Sequence, residues 1–143
     1  MRYTVESMTR VILSGVTQEW IDLVASEEAG TENEVFWREV ITREAGGEGR
    51  ILYLVRLDSQ PVGACHLFTA NGWGRIDDVF VRPEFRRRGI ASALIVRALS
   101  DSQVSGNVET YLFTEAGGMA EPLYRKLGFT VRAVNPLRRH ITS

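Results

Sequence analysis

The chain has 143 residues, enough for one domain with its own core, and no apolar run approaches the roughly 20 residues of a membrane span. Apolar residues are 44% and charged residues 24%, which excludes fibrous and disordered classes, and Cys65, the only cysteine, excludes an intrachain disulfide and a cysteine-based zinc site. Net charge is −1 but uneven: residues 1–49 carry 10 acidic and 4 basic side chains, residues 50–143 carry 8 and 13, and Lys126 stands alone beside 16 arginines.

The opening MRYTVESMTR lacks the apolar core of a secretory signal, so a cytoplasmic protein is expected. YTVES (3–7) reads as a first strand. TQEWIDLVASEEAG (17–30) reads as a helix capped by Thr17 and stopped by Gly30, with Trp20, Leu23 and Val24 on one face. TENEVFWREVITREAGG (31–47) reads as a second helix, with Thr31 and Glu34 at capping-box spacing. ILYLVRL (51–57) and VGACHLFTA (62–70) are strands joined by a turn at DSQP, and NG at 71–72 signals a tight hairpin. RIDDVFV (75–81) is a third strand of this group, ended by Pro83. From Gly89 to Leu99 apolar residues recur at helical spacing. VETYLF (108–113) is a strand, MAEPLYRKL (119–127) a short helix and FTVRAV (129–134) a last strand. This order gives an α/β (α+β) single domain over residues 1–143 with a mixed sheet.

Arg86, Arg87 and Arg88 stand directly before Gly89 and the helical stretch. A helix N-terminus presents unpaired N–H groups and the positive end of its dipole, so a strand feeding a glycine loop into a helix makes an anion site. Gly89 lets a ligand approach the backbone, Ala91 keeps the next contact small, and the arginines add fork-shaped donors. The set suits a diphosphate. Neither GxxxxGK[ST] nor GxGxxG spacing is present. A solvated turn and a nucleic-acid contact are the other readings of three arginines. The net charge of −1 and the lack of a wide basic face argue against the second, so neither nucleic acid nor membrane is expected as a partner.

Two motifs together carry a family resemblance. VFVRPEFRRRGIASAL (79–94) contains a V-x-P strand end followed by [QR]-x-x-G-x-[GA], with Arg86, Gly89 and Ala91 in its fixed positions. AEPLYRKLGF (120–129) matches A-x-x-L-Y-x-K-x-G-F. With one strand between them, the pair resembles the GNAT superfamily of acyl-CoA-dependent N-acyltransferases. The resemblance implies a central, mostly antiparallel mixed sheet, splayed between its fourth and fifth strands and flanked by about four helices. It implies that acetyl-CoA is the cosubstrate, without a metal, and that its pantetheine arm lies in the gap against the backbone of Phe80 and Val81. The pyrophosphate would rest on the Arg86, Arg87, Arg88, Gly89, Ile90 and Ala91 segment and the Ser92 hydroxyl. Tyr124 matches the family tyrosine near the CoA sulfur. Gly117 stands where many members carry Asn, and a homodimer is a family-level expectation.

The implied activity is N-acetyl transfer to a primary amine of a small molecule or peptide by direct attack through a tetrahedral intermediate. The alternative is a non-catalytic acyl-CoA-binding domain. A phenol can protonate a departing thiolate, which is the role expected of Tyr124, with packing as its alternative. A backbone N–H at Phe80 or Val81 would polarise the thioester carbonyl. Strict alternation puts Asp77 and Asp78 on opposite faces, so only one can reach the acceptor. If Val79 and Val81 lie under the next helix, that one is Asp78; Asp77 or a chain of waters are the other bases. His66, on the neighbouring strand, reads as a satisfied sheet histidine with the base as its alternative, and Cys65, on the opposite face, as core. Glu19, Asp22, Glu27, Glu28, Glu32, Glu34 and Glu39 on the first two helices favour a cationic acceptor, though they equally suit a solvated surface. Glu115 is a further cation contact, and Trp20, Phe36, Trp37 and Trp73 line an acceptor pocket or form core.

Overall fold

The computed structural model describes residues 10–115, 117–134 and 139–142. The chain runs β1 (Val11–Ser14), α1 (Gln18–Val24), a 3-10 turn (Ala25–Glu28), α2 (Glu34–Ala45), β2 (Arg50–Leu57), β3 (Gln60–Ala70), β4 (Trp73–Val81), a 3-10 turn (Pro83–Phe85), α3 (Ile90–Val104), β5 (Glu109–Thr114), α4 (Glu121–Lys126), β6 (Thr130–Val134) and β7 (Arg139–Thr142). The strands form one sheet in the order β1-β2-β3-β4-β5-β7-β6. All neighbours are antiparallel except β4 and β5, giving the mixed, mostly antiparallel sheet with four α-helices that the motifs imply. Among the described residues no helix is long and apolar enough to cross a membrane.

Local chemistry accounts for most boundaries. Thr17 Oγ1 accepts from Trp20 N at 3.2 Å, the expected cap. The α-helix then ends at Val24, earlier than expected, and tightens into the 3-10 turn before Gly30 at φ 80°. The capping box at Thr31 and Glu34 does not form. Asn33 is the N-cap; Thr31 Oγ1 accepts from Asn33 N at 3.3 Å, and Glu34 reaches past it to Gly30 N at 2.9 Å. Both hairpins turn on residue pairs with positive φ, Asp58–Ser59 and Asn71–Gly72, as two-residue primed turns require. The strand expected at 3–7 lies outside the described residues. β7 was not expected, because its short polar run RHIT carries no strand pattern of its own.

Helices cover both faces of the sheet. On one, α3 and α4 bury Val55, Val62, Leu67, Ile76, Val81, Ile90, Leu94, Ile95, Leu112 and Phe129; on the other, α1 and α2 bury Trp20, Leu23, Ile41, Leu52, Leu54, Ala64 and Phe80. Ile76 and Val81 are five apart, yet they share the α3 face. Unbroken alternation forbids this. The register between β3 and β4 shifts between Ala64 and His66, and Asp78 in the shifted stretch has φ 56°. This β-bulge absorbs one residue of β4 and re-aims everything beyond it.

α3 lies close to the sheet because two strand glycines make room for it. A Cβ on Gly63 would stand 2.7 Å from Ile90 Cγ2, and one on Gly74 only 2.3 Å from Ser102 Oγ. Ser102 is fully buried and tied to Thr110 Oγ1 at 2.7 Å and Asn107 Nδ2 at 2.9 Å, so it has little freedom to move. Gly74→Ala is therefore expected to lower stability by about 1–3 kcal/mol in urea unfolding, through overpacking and a disturbed buried network.

Candidate active site

β4 and β5 pair only from Trp73 to Arg75 against Glu109 to Tyr111. Beyond Arg75 the two strands part, and an open cleft of about 510 Å³ occupies the end of the gap. Its walls are Val79, Phe80 and Val81 of β4, the loop at Phe85, Arg86, Arg87 and Gly89, the first turn of α3 at Ile90, Ala91 and Ser92, and Met119, Ala120, Leu123 and Tyr124. The structure thus gathers nearly every expected donor-site residue in one place. Arg88 is not among them; its guanidinium lies 5.0 Å from the Phe85 ring centroid.

The α3 end of this cleft is built to take negative charge. Arg87 at φ 66° and Gly89 at φ 82° both adopt left-handed backbone, which curls the loop into the helix start. No side chain caps α3, so the N–H groups of its first turn and the positive dipole end face the cleft. Arg86 Nε donates to Val81 O at 2.9 Å, pinning the loop to the end of β4.

Pairing direction also fixes what β4 offers. Arg82 N donates to Val62 O at 2.8 Å, and Gly63 opposes Val81. Antiparallel pairs alternate between bonded and non-bonded, so the Val81 N–H and C=O point away from β3 while those of Phe80 point toward it. Of the two expected donors, Val81 is the one turned to the gap.

Tyr124 lies on α4, 8% exposed, with its ring edge-on to Phe129 at 6.2 Å between centroids. Burial, and secondarily the nearby Cys65, pushes its phenol up to about 12. It stays a proton donor throughout the neutral range. Cys65 is fully buried and burial drives its thiol well above the usual range, so it is inert core as expected.

A second cleft of about 190 Å³ shares Glu27, Val79 and Phe80 with the first. Its other walls are Val24, Glu28, Trp37, Val40, Ile41, Glu44 and Asp78. Only part of the expected acidic wall reaches it. Glu19 pairs with Arg56 at 2.5 Å, while Arg38 takes Asp22 at 2.7 Å and Glu34 at 3.0 Å; Arg56 and Arg38 hold Glu19 and Asp22 below their ordinary range, and the Gly30 N–H first and Arg38 second do the same for Glu34. Glu44, outside the expected set, joins Glu27 and Glu28. Of the aromatics, Trp37 lines the cleft, Trp20 is buried with Nε1 donating to Tyr53 O at 3.1 Å, and Trp73 packs on Tyr111. Phe36 is exposed beside Trp37, and Glu115 lines neither cleft.

The bulge overturns the expectation that Asp77 and Asp78 face opposite sides. His66 Nε2 lies 3.0 Å from Asp78 Oδ2 and 3.8 Å from Asp77 Oδ2, so both carboxylates reach the α1 face. They differ in company. Asp77 is neutralised by Arg50 at 3.1 Å and Arg75 at 2.9 Å, whereas Asp78 lines the acidic cleft with His66 as its neighbour. Val79 and Val81 do pack on the α3 side, as the choice of Asp78 assumed.

The sequence matches the acetyltransferase (GNAT) domain family over residues 48–131, and the chain belongs to that family. It is an acyltransferase. No curated protein matches it in sequence. Among solved structures, a protein provisionally named an acyl-CoA N-acyltransferase, from Klebsiella pneumoniae, superposes with TM-score 0.78 at 19% identity, covering 96% of this chain and 97% of that one. The PaiA N-acetyltransferase of Thermoplasma acidophilum, solved with coenzyme A, gives 0.78 at 14% over 94% and 98%. An acetyltransferase of the GNAT family from Staphylococcus aureus Mu50 gives 0.75 at 16% over 94% and 97%. At these identities the likeness is one of fold.

Tyr124 makes a pH-dependent contribution to stability with a defined sign. Its folded value of about 12 lies above the unfolded value near 10, so the neutral phenol stabilises fully below pH ~10 and that contribution is lost as pH rises toward 12. Urea midpoints of wild type and Tyr124→Phe at pH 9 and 11.5 should show a smaller alkaline loss in the variant.

Proposed function

We propose that residues 1–143 act as one N-acetyltransferase domain that moves an acetyl group from acetyl-CoA to a primary amine of a small molecule or peptide. The observation that carries this reading is the junction of two unlike clefts at Val79 and Phe80, one ending on an open helix N-terminus, the other lined by carboxylates and an indole. The diphosphate lies on the N–H groups from Arg86 to Ala91, with the Ser92 hydroxyl and the Arg86 and Arg87 side chains beside it. Arg88 adds long-range charge. The pantetheine arm takes the place beside β4 that β5 leaves open. The Thermoplasma neighbour, solved with coenzyme A, supports a coenzyme A thioester as the donor.

The chemistry then runs across the junction. Asp78 accepts a proton from the incoming ammonium, leaving a neutral nitrogen. Its lone pair attacks the thioester carbon, and the carbonyl pair moves to oxygen, held by the Val81 N–H with Phe80 packed alongside. The oxygen pair re-forms the carbonyl as the C–S bond breaks, the sulfur keeps its pair and takes the Tyr124 proton, and the surplus proton on the amide nitrogen returns to the phenolate. Glu27, Glu28 and Glu44 draw a cationic acceptor, and Trp37 offers its ring face.

Calorimetric titration with acetyl-CoA is expected to show micromolar binding in wild type. Ser92→Glu puts a carboxylate in the first turn of α3, which suits the helix dipole but repels a diphosphate; its affinity should fall at least about tenfold at unchanged or higher Tm. With acetyl-CoA and a panel of spermidine, tyramine, kanamycin and a lysine peptide, thiol release should be fastest for the multiply charged amines. Tyr124→Phe and Asp78→Asn should each lower kcat by about 10–100-fold with acetyl-CoA binding kept. Binding without thiol release for any amine would leave the acyl-CoA-binding alternative in place of the enzyme.

A further inference from the structure

His66 is fully buried, and its Nδ1 has no partner. A phenylalanine would fill the same space without leaving a polar atom unpaired, so core filling alone does not account for it. The ring is held in a fixed direction. β3 carries it, the Trp20 ring meets it edge-on at 5.6 Å, and Trp20 is itself anchored on Tyr53 O. Nε2 is thereby aimed at Asp78 Oδ2, 3.0 Å away.

An ionised carboxylate only accepts, so the bond to Asp78 Oδ2 calls for a proton on Nε2. The charged groups around the ring favour this arrangement. Asp77 and Asp78 face it from β4, and Arg50 of β2 and Arg75 of β4 are consumed by Asp77. α1 presents Trp20, and Glu27, Glu28 and Glu44 line the cleft beyond Asp78. Among the described residues Asp78 has no arginine or lysine partner. It also sits on left-handed backbone at the bulge, outside the paired register of β3 and β4.

We infer that His66 is a positioning residue: its Nε2–H holds Oδ2 of Asp78, sets the rotamer of that carboxylate, and leaves Oδ1 to take the proton of the acceptor ammonium in the acidic cleft. The imidazole proton stays on Nε2 throughout; the one proton that moves goes from the ammonium nitrogen to Asp78. This rests on Asp78 being the base, and the test separates the two.

The ring nitrogens of His66 are read by 15N NMR on the whole protein, in wild type and Asp78→Asn. Alongside, pH profiles of kcat/KM are measured with acetyl-CoA and spermidine for wild type, His66→Phe, His66→Gln and Asp78→Asn. The expected ring is the Nε2–H tautomer, with a hydrogen-bonded proton whose resonance moves in Asp78→Asn. His66→Phe should lose about tenfold in kcat and shift the acid limb upward by about one pH unit, with acetyl-CoA affinity unchanged. His66→Gln, whose amide N–H reaches the same oxygen, should restore the limb. An Nδ1–H tautomer overturns the inference whether or not spermidine is turned over. An inactive Asp78→Asn with an unmoved limb in His66→Phe overturns the role of His66 alone, and Asp78→Asn at the wild-type rate removes the base and this role with it. If His66→Phe fails to fold, His66→Met, which also lacks an N–H donor, takes its place, and an unmoved limb there overturns the inference equally.

Discussion

The extra residue that β4 carries opposite β3 at Asp78 sets the geometry of both clefts. In an unbroken ladder, alternation would send Asp77 and Asp78 to opposite faces and keep β4 parallel to its neighbour. With the bulge, both aspartates meet His66 and Ile76 and Val81 share the α3 face; the pairing of β4 with β5 has already ended at Arg75. Left-handed backbone at a non-glycine residue costs of order 1 kcal/mol, and aspartate is among the residues that tolerate it best. The strain is stored where the two clefts meet.

A second constraint acts on the opposite face. α3 can deliver its N-terminus to the cleft only if it lies flat on β3 and β4, and Gly63 under its first turn and Gly74 under its last give it that approach. Arg86 then ties the loop back to Val81. The first turn of α3, the arginine loop and the end of β4 are therefore held in register by one packing contact and one hydrogen bond, Gly63 against Ile90 and Arg86 on Val81.

The electrostatics divide in the same way. Arginines neutralise acids outside the second cleft, some across elements and some within one: Arg56 takes Glu19, Arg38 takes Asp22 of α1 and Glu34 of its own helix, and Arg50 of β2 with Arg75 of β4 takes Asp77. What remains lining the second cleft is Glu27, Glu28, Glu44 and Asp78. Most of that outcome depends on arginines distant in sequence, which no single segment shows.

Local rules made a large part of this protein legible in its sequence. The Thr17 cap, the Asn71–Gly72 hairpin, the strand run from β2 to β4 and the arginine loop before α3 each follow from contacts a few residues apart, so the sequence alone determined them. The family followed from two motifs whose spacing reflects one strand between them. Tertiary structure decided the rest. The bulge depends on what β3 places opposite Asp78, the failed capping box on the turn at Glu28 and Thr31, and the fate of each acidic side chain on arginines up to 37 residues away. Trp20, Trp37 and Trp73 are alike in sequence context, yet one is core, one lines a cleft and one packs on β5. The sequence places His66 on a strand but hides its partners, because Asp78 and Trp20 lie 12 and 46 positions away and only folding brings them together.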